Sequence, residues 1–382
     1  MMAKRPYVLM FAEDTGAANY LAEVPRLLAE IGVDSRLVAS QYAARHFDRL
    51  GVACERGRGN GDPRPYFDRP PIIAMAGTGN NLDSFGLRLI DEARMRGIET
   101  VGVVDQRQNL GDRFRGRSGE PLYHRPDWIL VPDLGSKNYF VSQGCEEKRI
   151  LVCGHPNFDN MYALRDTYRE SDRRRLRARM FPKCTDIQRL IVFGTEPAKK
   201  VRGSIGVYRK TPDYTLTGFS GTEYRTHIVI EEFLGALRTV KAPVYTVLRL
   251  HPHDPDDHEF EEYYGSFDAV SRSGLPLELM LASDLVVSLT SMLLIEAALL
   301  GRPTLSILPR RSEAQMLISI ERGLTPCVYR REDLMITLDR MIAAPEPISR
   351  EALERIITPN SIGRIREFLN DRIGAVIDRK RA

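Results

Sequence analysis

The 382 residues exceed what one ordinary hydrophobic core organises, so two domains are expected. Hydrophobic residues make up 43% and charged residues 28%, the balance of a soluble globular protein, and 55 basic against 51 acidic residues leave a net charge of only +4, which calls for no nucleic-acid partner. Five scattered cysteines without a CxxC pair suggest neither a zinc site nor a disulfide framework, and no apolar run approaches the roughly 18 residues of a membrane span.

The opening Met-Met-Ala-Lys-Arg-Pro leads into a short apolar run, Tyr7 to Ala12, which reads as a first strand rather than a signal peptide; a cytoplasmic location is expected. The turn Glu13-Asp14-Thr15-Gly16 follows, then an amphipathic stretch to about Ile31. Further strands are expected at 36–40, 72–76, 100–104, 128–131 and 150–153, with helical patterns up to Leu50 and over 83–96. Strands alternating with helices at this spacing imply βαβ units and a parallel sheet.

From Arg165 to Arg179 the chain is dense in charge and reads as a solvated helix leading into Phe-Pro-Lys-Cys-Thr-Asp. The alternation then restarts. Strands are expected at 190–193, 244–250, 285–288 and 304–308, and helices at 227–240, 292–300 and 331–342. Residues 198–223, polar and rich in Gly, Thr and Tyr, read as a mobile loop and a candidate lid. The expected organisation is α/β, two Rossmann-like doubly wound domains facing a central cleft. The first spans 1–165, a linker 166–188, the second 189–360, and a final helix in 361–382 crosses back to the first. Ligands of such sheets bind outside the carboxyl ends of the strands.

Three strand ends in the second half carry polar groups. Gly194-Thr195 follows one, His251-Pro252-His253 another, and Ser288-Leu289-Thr290-Ser291 a third that opens a helix. Hydroxyls and unpaired N–H groups at a helix start suit phosphate oxygens. Glu296, about one and a half turns further on, suits ribose hydroxyls. Plainer readings stand beside each: Thr290 and Ser291 as helix caps, Glu296 as the partner of a surface Arg, His251 as a turn residue.

The segments "LRLHPHD" and "ELMLASDLVVSLTSMLLIEAALLGRPTLSI" resemble the C-terminal half of GT-B-fold enzymes. The resemblance points to non-hydrolysing UDP-sugar 2-epimerases and to the CDP-glycerol glycerophosphotransferase and capsule glycosyltransferase group. It implies that His251, Thr290 and Ser291 hold a donor diphosphate and Glu296 a ribose. Those families commonly place an acidic residue just before the hydroxyl pair; here it is Leu289, which leaves the donor type open.

In the first half, "FAEDTGAANYLAEVPRLL" is similar to the opening strand and helix of that fold. Gly16 lets backbone approach a ligand closely. Glu13 and Asp14 stand at a strand tip, where a carboxylate serves as base toward an acceptor hydroxyl; the alternative for Asp14 is a helix cap. Asp105, followed by Gln106, Arg107, Gln108 and Asn109, is the rival base, and similar proteins carry a like Asp-containing segment. His155 in "VCGHPNFD" is a second proton carrier on the acceptor side or, more simply, a structural residue. Gly77-Thr78-Gly79 lacks the GxGxxG spacing, and neither Walker A, GxSxG nor metal-ligand spacing occurs.

These readings converge on a metal-independent, inverting glycosyltransferase without cofactor, of the kind that builds surface polysaccharide or glycoconjugates. A UDP- or CDP-type donor is expected on Thr195, His251, Thr290, Ser291 and Glu296. A carbohydrate or glycoconjugate acceptor is expected near Glu13, Gly16, Gln106 and His155, with Asp14 or Asp105 as base. The alternatives are a UDP-sugar 2-epimerase, a glycerophosphotransferase, or a non-catalytic nucleotide-sugar-binding protein. No nucleic-acid partner is expected; peripheral membrane association and a homo-oligomer stay open.

Overall fold

The computed structural model describes residues 5–57, 61–79, 81–197, 209–251, 258–272, 274 and 276–381. The strands in chain order are β1 (Tyr7–Ala12), β2 (Asp34–Ala39), β3 (Glu55–Arg56), β4 (Ile73–Gly77), β5 (Glu99–Val103), β6 (Trp128–Val131), β7 (Ile150–Val152), β8 (Arg189–Gly194), β9 (Val244–Arg249), β10 (Ala269–Ser271), β11 (Leu285–Ser288), β12 (Thr304–Ile307) and β13 (Cys327–Val328). The helices are α1 (Thr15–Leu21), α2 (Val24–Glu30), α3 (Gln41–Leu50), α4 (Phe85–Met95), α5 (Leu134–Ser142), α6 (Pro156–Thr167) and α7 (Glu170–Met180). They continue with α8 (Arg225–Leu237), α9 (Pro276–Ala282), α10 (Met292–Leu299), α11 (Ile318–Glu321), α12 (Arg331–Ala343), α13 (Arg350–Glu354) and α14 (Ser361–Arg381). Two compact units result, Met1–Asp159 with Ile357–Ala382, and Asn160–Ile356.

The first unit is built on a seven-stranded parallel sheet in the order β3-β2-β1-β4-β5-β6-β7. Its central strands are apolar throughout; Val8, Leu9, Met10 and Phe11 are fully buried. Helices cover both faces, so the strands show no alternation. One face packs on α14, whose Ile365, Phe368, Leu369, Ile373 and Val376 join the core of β1 and α1. Phe368 meets Trp128 edge-on at 5.6 Å, and Arg372 closes the contact with a 2.6 Å ion pair to Glu99.

The second unit repeats the plan with six parallel strands, β10-β9-β8-β11-β12-β13. Leu190, Ile191, Val192 and Phe193 of β8 are fully buried, and Phe193 packs on Phe233 of α8 at 5.0 Å. The basic segment is α7. Its inner face is not solvated: Arg173 and Arg177 turn inward onto Asp284, while Arg174, Arg175 and Arg179 stay outside.

Several expectations need correction. The amphipathic stretch to Ile31 is two helices, because the chain breaks at Ala22-Glu23 and restarts with Pro25 in the first turn of α2. The helix expected from His227 begins at Arg225. Of the expected mobile loop, 198–208 lies outside the described residues, as do Pro252 and His253. The remainder, 209–223, is pinned: Glu231 accepts from the amides of Phe219 and Ser220, Glu232 from Gly218, and Thr215 bonds to the carbonyl of Pro309. No described helix is long and apolar enough to cross a membrane.

Asp284 ties α7 to the sheet. Its carboxylate accepts from Leu190 N and Arg177 at 2.8 Å each and from Arg173. Burial pushes the carboxyl up, but these partners outweigh it and hold it below its ordinary value. Asp284→Ala leaves the Arg177 guanidinium with the Ala282 carbonyl but without its carboxylate and takes the side-chain acceptor from the buried Leu190 amide, while Arg173 keeps Glu170. It is expected to cost about 3–5 kcal/mol in urea unfolding; a cost below about 1 kcal/mol contradicts this role.

Candidate functional site

Both sheets reverse their strand order once, between β1 and β4 and between β8 and β11. At such a point the two following loops diverge to opposite faces and leave a crevice at the carboxyl edge. The polar residues of each unit gather there.

In the second unit the chain leaves β8 through Thr195 and Glu196. Thr195 is buried; its amide extends the ladder to Arg249 O at 2.9 Å, and its hydroxyl accepts from His251 N at 2.8 Å. His251 and Thr195 are thus joined across neighbouring strand tips. From β11 the chain passes through buried Leu289 and Thr290 into α10. Ser291 caps α10 by accepting from Leu293 N at 3.2 Å, so its hydroxyl has the structural role that the sequence allowed. Thr290 does not cap; its amide and hydroxyl both turn to the Glu196 carboxylate. His251 and Ser291 therefore lie on one edge of the unit, linked through Thr195, Glu196 and Thr290. Glu296 points from α10 without a hydrogen bond or ion pair to its carboxyl among the described residues. Burial alone pushes that carboxyl up to about 7. The surface-Arg pairing is thus not found.

Sequence reasoning missed the charge cluster behind these tips. Arg225 is 1% exposed and pairs with Glu196 and Glu313 at 2.6 Å each; Glu313 also holds Arg310 at 2.8 Å. The signal was a lone arginine leading an apolar helix, masked by starting that helix two residues late.

In the first unit, Asp14, Thr78, Asp105 and His155 follow β1, β4, β5 and β7. Asp14 caps α1, with Ala17 N donating to Oδ1 at 2.8 Å, and its other oxygen turns toward Gly79. Burial first, then the charge of Asp105, push the Asp14 carboxyl up to about 7, against the Ala17 hydrogen bond and the charge of Arg113. Asp105 is bound by Arg113 at 2.7 Å, and both are buried. Arg113, also missed, further bonds the carbonyls of Thr78, Gln106 and Gln108, so it laces three segments together. Gly16 must lack a side chain: a Cβ there would stand 1.9 Å from Asp105 Oδ2.

Glu13 accepts from Asn81 through one carboxylate oxygen, while the other is buried without a hydrogen-bond partner among the described residues. Gln106 contributes its carbonyl to Arg113. His155 stacks on Phe158 at 4.9 Å, and its Nδ1 accepts from Asn157 N at 3.2 Å. Burial pushes it down to about 4, and the ring packs against Tyr20 and Phe158. Among the described residues no group of His, Cys, Asp and Glu is placed to hold a metal ion.

No protein-family model and no curated protein matches the sequence. Solved structures are similar in fold. A UDP-GlcNAc 2-epimerase from Methanocaldococcus jannaschii superposes with a TM-score of 0.64 at 14% identity, over 95% of this chain and 99% of its own. A UDP-GlcNAc 2-epimerase from Neisseria meningitidis, bound to UDP-GlcNAc, gives 0.59 at 15%, over 96% and 99%. The wall teichoic acid polymerase TagF gives 0.57 at 14%, over 98% and 89%. The chain has the GT-B fold: two parallel-sheet α/β units, as the residue pattern predicted, in the fold that the resemblance implied.

The raised Asp14 carboxyl fixes a pH signature. Between its ordinary value of 3.8 and about 7 the unfolded chain has released this proton and the folded chain has not. This group's contribution to stability is therefore present at low pH and lost as pH rises through that window. Asp14→Asn removes the loss. Its melting temperature relative to the unmodified protein should rise from pH 4 to pH 8. A difference that stays flat removes the assignment.

Proposed function

We propose that the chain is an enzyme acting on a nucleotide-diphosphate sugar, and that it transfers the sugar to a carbohydrate or glycoconjugate hydroxyl. The observation that carries this reading is the gathering of polar groups at the two switch points, Thr195 bonded to His251 and Glu196 to Thr290 in the second unit, and Asp14 beside the Asp105–Arg113 pair in the first. A desolvated carboxyl with no ion pair of its own costs stability and persists where a ligand uses it. The donor, of UDP or CDP type, is assigned to the second unit. Its ribose falls to Glu296, and its diphosphate to Thr195, His251, Thr290, Ser291 and the start of α10. Backbone N–H groups and the helix dipole favour negative charge there.

Asp14 is the proposed base. A carboxylate titrating near 7 accepts a hydroxyl proton far better than an ordinary one, because its driving force is larger at neutral pH. Asp105 is committed to Arg113 and serves to raise Asp14 rather than to move protons. Glu13, Gly16, Gln106 and His155 shape the acceptor side: Gly16 and His155 by packing, Gln106 by holding Arg113, and Glu13 through its unpartnered oxygen. A single proton carrier suits an inverting transfer, in which one base deprotonates the acceptor.

Epimerisation is the second reading, favoured by the epimerases among the similar folds and by the second carboxylate beside Asp14. Incubation with UDP-N-acetylglucosamine alone separates the two: an epimer in the product supports the second reading, and none supports transfer.

Calorimetry with UDP, CDP and GDP, followed by turnover, tests the proposal. One nucleotide should bind, and His251→Ala should weaken it about tenfold, roughly one hydrogen bond to a charged group. Asp14→Asn should lower kcat by about 10²–10⁴ with nucleotide affinity unchanged. No nucleotide binding at millimolar concentration defeats the reading.

A further inference from the structure

We propose that the Glu196 carboxylate is the built-in occupant of an oxyanion site formed by the Thr290 amide, the Thr290 hydroxyl and the Arg225 guanidinium, and that a ligand phosphate enters by displacing it. The proposal rests on reading the second unit as the diphosphate-binding one.

Three donors converge on this carboxylate. Thr290 N donates to Oε1, the Thr290 hydroxyl lies 3.1 and 3.2 Å from the two oxygens, and Arg225 Nη1 reaches Oε2 at 2.6 Å. Backbone amide, hydroxyl and guanidinium, at the entry to a helix and at a switch point, form a donor set suited to a phosphate. In this structure a protein carboxylate uses it. A phosphate oxygen and a carboxylate oxygen make the same demands on these groups, so the two compete for them.

The cluster is arranged so that Glu196 can leave. Its side chain is 13% exposed, against 1% for both Arg225 and Glu313. Without Glu196, Arg225 keeps Glu313 through Nε at 2.7 Å and Nη2 at 2.6 Å, so no bare charge is left buried. Only Nη1 is released. Glu313 is the fixed member, since Arg310 holds it from the other side at 2.8 Å. Two carboxylates and two guanidinium groups balance in the closed cluster. Exchange of Glu196 for a phosphate keeps an anion on Arg225, while Glu196 moves to water.

The position before the hydroxyl pair completes the argument. Leu289 is fully buried, and its carbonyl accepts from Ser306 at 2.6 Å, so β11 brings no acid of its own to this crevice. The acid arrives from the neighbouring strand tip as Glu196. Anion affinity in the unmodified chain is therefore lowered by competition with an internal carboxylate.

The test is calorimetry on the full chain with inorganic pyrophosphate, using Glu196→Gln and Glu196→Ala, with folding checked by circular dichroism. Both substitutions remove the competing charge. Pyrophosphate should bind at least about tenfold tighter to each, a gain of about 1.4 kcal/mol. Equal or weaker binding to the folded variants overturns the proposal, the weaker case meaning that Glu196 itself contacts the ligand. Should both variants fail to fold, the unmodified chain decides. Its Thr290 amide and Arg225 Nε resonances should shift with saturating pyrophosphate, and unmoved resonances overturn the proposal. Tighter pyrophosphate binding in a chain that binds no nucleotide keeps this inference and defeats the nucleotide-sugar reading. Nucleotide and pyrophosphate binding that ignore Glu196 do the reverse.

Discussion

The reversal of strand order in a parallel sheet is the constraint on which the rest depends. Parallel strands send all their carboxyl ends to one edge, and helices must cover both faces, so the strand interiors are apolar from end to end. Polar groups are excluded from Val8 to Phe11 and from Leu190 to Phe193, and they appear as soon as each strand ends. At the reversal the connections part, and backbone amides there face an open crevice rather than another strand. The same geometry occurs twice, at Asp14 and Gly79 in one unit and at Thr195 and Thr290 in the other.

Carboxylates at the amino ends of β5 and β11 are handled differently from those beyond the carboxyl ends of β1 and β11, and the difference separates architecture from candidate chemistry. Asp284 and Glu99 are half-buried to buried, surrounded by arginines, and held below their ordinary values. They fasten α7 and α14. Asp14 and Glu296 have no salt bridge among the described residues, and burial pushes each carboxyl up to about 7. A charge without a partner in a low-dielectric setting costs stability, and folded chains tolerate that cost mainly where a ligand or a proton transfer uses it. Glu196 belongs to neither class. It is paired, but its partners are the donors that an incoming anion would need.

Much of the scaffold was legible in the residue pattern. Tyr7–Ala12 and Leu285–Ser288 are the strands that their apolar runs predicted. Strand tips were legible for the same reason, since a polar residue ending a buried run has only the edge to occupy; Thr195, His251 and Thr290 were found this way. The short strands β3, β10 and β13 were not, because two or three residues carry no period. Nor were the ion pairs that organise each crevice. Arg225 reaches Glu196 and Glu313 across 29 and 88 positions, and such a pairing leaves no local trace. Arg113 was overlooked although Asp105 was singled out eight positions before it, because a charge in a polar loop gives no sign that it turns inward. Ser291 shows the converse limit: a hydroxyl at a helix start reads alike as ligand contact and as cap, and the cap it makes here, as acceptor from Leu293 N, is compatible with a bond donated to a ligand.

The most direct measurement is a crystal structure of the chain with a nucleoside diphosphate bound. The account requires phosphate oxygens within hydrogen-bonding distance of Thr290 and the first turn of α10, with the ribose hydroxyls on Glu296. Density for the nucleotide at the amino ends of the strands, or on the face of a helix away from the crevice beside β8 and β11, would contradict it.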